Sequence, residues 1–153
     1  MILRDRKTVS RKGATVVETA FVLGSFMLFM IGILEYGRYL FCMHVATNAV
    51  ASAARYAAVH TGDGTTLSQV QTQCTNAMAS QNSMITSYTV NVFAAQPGVS
   101  PPTAISGTNW NDATFGNGIC VQITGTYSFL ASSLIGISSV PINVSAVTTS
   151  EAN

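Results

Sequence analysis

The segment Gly13-Ala14-Thr15-Val16-Val17-Glu18 concentrates what chemistry this chain offers. A glycine has no side chain to clash, so its peptide bond is open to a protease working at a membrane face. A cut after Gly13 would leave a cationic α-amine on Ala14, about one helical turn from the Glu18 carboxylate. Glu18 is the only ionisable residue between Gly13 and Leu34. Insertion scales charge about 2.5–3.5 kcal/mol for an aspartate at the centre of a membrane helix, and less near its end. A carboxylate kept there calls for a partner, and the new amine would be one.

The other chemistry-bearing residues are scattered. Cys74 and Cys120 both fall in the part of the chain expected outside the membrane, where disulfides persist, and are candidates for a bridge. Regular strand alternation, however, turns Cys120 away from the face that helices would cover. Cys42 reads as a packed free thiol. His44 and His60 stand sixteen positions apart with no HExxH or CxxC spacing, which gives no metal set and no catalytic constellation. Asn109, Asn111 and Asp112 could offer oxygens to calcium, but one carboxylate makes a weak site. Asn143-Val144-Ser145 matches a glycosylation acceptor yet falls on a predicted strand. Neither a cofactor nor an enzymatic activity is expected.

Charge and hydropathy define what positions these residues. Only 8% of the 153 residues are charged, against 48% hydrophobic, well below the ~25% charged of a typical soluble domain. Residues 1–13 carry a net +4 and the remaining 140 a net −3. Nothing beyond the leader could neutralise a phosphate backbone, which argues against nucleic acid as a partner. The 22 residues from Gly13 to Leu34 exceed the ~20 needed to cross the hydrocarbon core. By the positive-inside rule, residues 1–13 form a cytoplasmic leader, 14–35 a transmembrane helix, and later residues lie outside. A cleaved secretory signal fits poorly, because no small-residue cleavage site closes the run. A plain signal anchor accounts for everything except Glu18.

The helix is expected to continue over residues 36–60. Ala46, Ala49, Val50, Ala53, Ala54 and Ala57 recur at three- and four-residue steps, which makes a ridge of small side chains for helix packing. The ridge serves equally well to pack other subunits or the chain's own sheet. The turn cluster Thr61-Gly62-Asp63-Gly64 ends the helix near His60. The capping-box spacing of Thr66 and Gln69 then predicts a second helix over 66–81. Alternation around Tyr88–Val92, Ile119–Ile123 and Val140–Ala146 predicts three strands. Residues 96–118 form a long Pro-, Gly- and Asn-rich loop of unassigned role. The predicted fold is α+β: a long pilin-like helix, a short second helix and a small antiparallel sheet making an exported domain over 61–153.

The basic leader, Gly13, Ala14, Glu18 and the unbroken apolar helix resemble the class III signal of type IV pilins and pseudopilins. The longer pattern, with Val17-Glu18, Ala20, Gly32, Glu35-Tyr36-Gly37-Arg38 and Ala53-Ala54-Arg55-Tyr56-Ala57, resembles the TadE-like pseudopilins of the tight-adherence (Tad/Flp, type IVb) pilus system. The similarity spans about residues 11–60, with weaker agreement in the final strands. Thr19 departs from it, since many relatives carry phenylalanine after the glutamate, and could alter peptidase preference.

The resemblance implies cleavage at Gly13–Ala14 by a prepilin peptidase and a mature helix packed among other pilins and pseudopilins. It also implies an inner-membrane assembly platform as partner, a single-pass position in the lipid bilayer of a bacterial inner membrane, and a part in secretion, adhesion and biofilm formation. Two other readings stay open: a major filament subunit, against which the extra domain argues, and a membrane-anchored extracytoplasmic binding module.

Overall fold

The structure is a computed structural model that describes residues 12–151; the leader lies outside the described residues except for its last two positions. Helix α1 runs unbroken from Lys12 to Val59, 48 residues, or about 72 Å at 1.5 Å per residue. Nothing interrupts it because the span contains no proline, and its hydroxyls bond back to the helix. Thr19 Oγ1 donates to the Thr15 carbonyl (2.9 Å) and Ser25 Oγ to that of Phe21 (3.0 Å). Thr61 at the end donates its hydroxyl to the carbonyls of Ala57 and Ala58, and the turn through Gly62 and Gly64 follows, both at positive φ.

Helix α2 spans Leu67–Ala77. Its start is as expected, with the Thr66 N–H donating to Gln69 Oε1 at 2.7 Å. Its end comes four residues before the expected 81. Ala79 (φ 47°) and Ser80 (φ 67°) enter the left-handed region, which ends the helix, and a short 3-10 turn occupies Gln81–Met84. Three antiparallel strands follow in the order β1 (Ile85–Ala95), β2 (Gly118–Ser128), β3 (Ser139–Thr149), with the one-turn helix α3 (Ser132–Ile135) between β2 and β3. The β1–β2 register slips between Thr86 and Thr89, around Ser87 at φ 55°. Gly125 lies opposite that bulge. A Cβ there would overlap Ile85 Cγ2 and approach the Thr86 carbonyl oxygen to 3.0 Å, so the bulge and the glycine require each other.

One face of the sheet, bearing Ile119, Val121, Ile123 and Tyr127 on β2 with Val90, Ala94, Ile142 and Val144, packs on α1 and on Val70, Cys74 and Met78 of the α2 segment. This is the expected α+β architecture. The small-residue ridge is its centre: Ala46, Ala49, Val50, Ala53, Ala54 and Ala57 are all fully buried inside the chain's own domain. Small side chains set how closely a helix can be approached, and short interaxial distances follow from alanine at the contact. Of the two roles open to the ridge, intramolecular packing is the one realised.

The domain has two ends. β3 begins beside the middle of α1 and finishes at its C-terminus, where the Glu151 N–H donates to the Ala58 carbonyl. The β2–β3 connection therefore lies at the proximal end, nearest the bare half of α1, and residues 96–117 lie at the distal end. That long loop is organised. The Ile105 N–H donates to the Ala94 carbonyl (2.8 Å), Trp110 is buried, and the Gly62 N–H donates to Asn111 Oδ1 (2.8 Å).

The ridge yields a direct expectation. Ala53→Leu should lower domain stability by about 1–3 kcal/mol through overpacking, whereas Phe26→Leu on the bare half should leave it unchanged. Urea unfolding of the detergent-solubilised chain, followed by Trp110 fluorescence, measures both.

Candidate functional site

Residues 13–30 of α1 are exposed throughout. A dozen large apolar side chains between Val16 and Leu34 are exposed, Phe21 at 78% and Phe29 at 72%. Taking that many out of water would gain on the order of 18–36 kcal/mol at about 1.5–3 kcal/mol each, more than the roughly 5–15 kcal/mol that holds a domain folded. The segment is long and apolar enough to cross a membrane. Gly13, Ala14 and Glu18 lie on this bare helix, all exposed. A Cβ built on Gly13, Gly24, Gly32 or Gly37 would meet no atom within 4 Å. No contact among the described residues therefore explains those glycines.

A family model described as TadE-like protein matches residues 13–55. Over that span the chain is similar to the TadE-like family. No curated protein and no solved structure matches it. TadE-like proteins are pilin-like structural components associated with the Tad pilus, not a family of enzymes. The match covers the whole bare half of α1 and most of the alanine ridge, and it stops before α2 and the sheet.

Where the helix leaves its apolar run, the structure builds a junction around Glu35. Glu35 is 5% exposed. Its Oε2 accepts from Arg38 Nη1 at 3.2 Å, and its Oε1 accepts the backbone N–H of Ala131, 96 residues away, at 3.0 Å. Aromatic edges extend the contact: Tyr39 meets Tyr127 at 5.4 Å between ring centroids, and Tyr127 meets Phe129 at 5.2 Å. The β2–β3 connection is thereby clasped to the helix. The available signal was the apolar, charge-free composition of Phe129–Ile137 between two strands, where a polar turn is the norm.

Cys74 and Cys120 do not pair. Both are free and fully buried, as is Cys42. Cys74 lies in the layer between helix and sheet, whereas Cys120 takes the opposite face of β2, opposite Phe93 and Val147 in register. The sheet stands between the two sulfurs. Burial pushes all three thiols up, Cys120 to about 11, with Arg38 partly offsetting the effect at Cys42.

The remaining candidates are used structurally. His60 stacks on Tyr56 and its Nδ1 lies 2.8 Å from the Tyr56 carbonyl. Asn109 Nδ2 donates to Asp112 Oδ2, which closes the Trp110–Asp112 turn. Asn143 Oδ1 accepts from Gln122 Nε2 across the sheet. Among the described residues no three His, Cys, Asp or Glu side chains gather as a metal set.

Glu35→Ala should loosen the junction, costing about 1.5–3 kcal/mol for lost bonds to a charged group. Glu35→Gln, which can still accept from Ala131, should cost less. Hydrogen exchange at Ala131 reads the difference.

The thiols predict an alkaline limit. An unfolded cysteine loses its proton near 9.0, while folded Cys120 keeps it to about 11. The unfolded state binds fewer protons in that window, so stability is intact below pH 9 and falls as pH rises toward 11. Cys120→Ala should flatten the decline in urea midpoints recorded across it.

Proposed function

We propose that the chain is a non-catalytic, pseudopilin-like minor component of Tad (Flp, type IVb) pilus biogenesis. It sits in the bacterial inner membrane with residues 1–13 cytoplasmic, 14–35 in the bilayer, and the continuation of the helix with residues 61–153 outside. A prepilin peptidase cuts Gly13–Ala14. The mature helix then packs with other pilins and pseudopilins on an inner-membrane assembly platform.

The observation that carries this reading is the bare, TadE-like half-helix beginning at an unobstructed Gly13. The division of α1 adds a constraint. The face bearing Ala46, Ala49, Ala53 and Ala57 is occupied by the chain's own domain, so packing among subunits is left the bare helix before Cys42 and, beyond it, the exposed face with Thr47, Asn48, Ser52 and Arg55. Within the bare part Glu18 is the only charged residue before Glu35. Its carboxylate meets the new α-amine of Ala14, its own or that of an adjacent subunit, in low dielectric, where an opposite charge offsets the cost of burial.

Processing and assembly test the reading separately. The membrane-extracted protein should begin at Ala14 by N-terminal sequencing, and a bulky residue at Gly13 should leave an inserted, uncut precursor. A mature Met1 in cells with an active prepilin peptidase would remove the main support. Glu18→Gln should insert at least as readily, since the buried charge is gone. In a complemented deletion strain it should keep cleavage and membrane abundance while abolishing piliation and surface adherence. Full piliation would show Glu18 to be dispensable.

A further inference from the structure

We propose that the β2–β3 tip, Phe129–Ile137, is a second membrane contact that enters the outer lipid interface beside α1. The proposal rests on the reading that α1 spans the bilayer. Its own grounds are position, chemistry and backbone satisfaction.

Position comes first. Twenty-two residues from Gly13 to Leu34 make a rod of about 33 Å, against ~30 Å of hydrocarbon. Ile31 and Leu34 therefore lie at its outer boundary. Leu130 lines one open groove with exactly that part of the helix, Ile31, Leu34, Glu35 and Arg38. A second groove of about 290 Å³ joins Phe129, Ile137 and Val140 to Gly32, Tyr36 and Tyr39. The bond from the Ala131 N–H to Glu35 holds the tip at this level. Its apolar surface is continuous with the lipid-facing surface of the helix.

Chemistry agrees. Leu130 is 78%, Leu134 59% and Ile137 51% exposed. No Asp, Glu, Lys or Arg occurs between Ala113 and Ser150, so insertion desolvates no formal charge of the tip. Ser132, Ser133, Ser138 and Ser139 suit the headgroup level.

Part of the tip's backbone is already paired, which lightens the cost of a lipid-facing loop. Phe129 N–H donates to the Ser138 carbonyl, Leu134 N–H to that of Ala131, and Gly136 N–H to that of Ser132. Two attachments, one spanning and one interfacial, would fix the tilt and rotation of the domain over the membrane.

The test places tryptophan in the full-length chain reconstituted into phosphatidylcholine–phosphatidylglycerol vesicles containing acyl-brominated lipids. Leu134→Trp should add emission that shallow bromines quench by about half, as for a side chain 5–10 Å into the interface. Val99→Trp, on the distal loop, should add unquenched emission, and Trp110 is the common baseline. Phe29→Trp should be quenched best by deep bromines. If Phe29→Trp is quenched and Leu134→Trp is not, the tip proposal is overturned and the spanning helix stands. If Phe29→Trp is also unquenched, both fall. Blue-shifted but unquenched Leu134→Trp emission that grows with protein density would overturn the lipid contact and identify a second copy of the chain as the occupant.

Discussion

Close packing on an alanine face governs this molecule. From Cys42 to Ala58 one side of α1 carries almost nothing larger than alanine, and both α2 and the sheet come down onto it. The contact supplies most of what a domain of this size can bury, because strands with a single apolar face have nowhere else to put it. It also commits the outer half of the helix. A surface fully covered by the chain's own sheet is not available to other subunits, and the division between folding and assembly therefore runs along α1 itself.

The same rod changes solvent partway along its length. Before Leu34 it is largely apolar and bare; after Cys42 it is amphipathic, its apolar face covered and its polar face exposed. Glu35 sits at the changeover. A carboxylate with both oxygens engaged, one by Arg38 and one by a backbone N–H from the far end of the chain, ties the sheet's proximal end to the point where the apolar run stops. The charge is tolerated there because its hydrogen bonds are made. The aromatic rings of Tyr39, Tyr127 and Phe129 close the joint beside it.

Polar groups elsewhere serve geometry in the same way. In the distal loop Asn111 accepts from the Gly62 N–H of the turn after α1, while Asn109 and Asp112 bond to each other within the loop. The cysteines are fillers whose thiols burial keeps protonated. Cys120 illustrates how composition misleads: two cysteines in a segment expected outside the membrane invite a bridge, but strand parity puts a sheet between them.

Much was legible in the residues alone. Hydropathy and charge asymmetry marked the half-helix, since length against bilayer thickness is a property of local sequence. Periodicities of 3.6 and 2 marked the ridge and the three strands, and strand parity already argued against the cysteine bridge. Whether the ridge faced its own sheet or another subunit was undecidable, because small residues look the same to either partner. The end of α2 depended on left-handed backbone at Ala79 and Ser80, residue types that carry no such signal. The burial of Glu35 was invisible as well. Its partner lies 96 residues away, and only the folding of β2 and β3 back along α1 brings that peptide N–H to the edge of the apolar run.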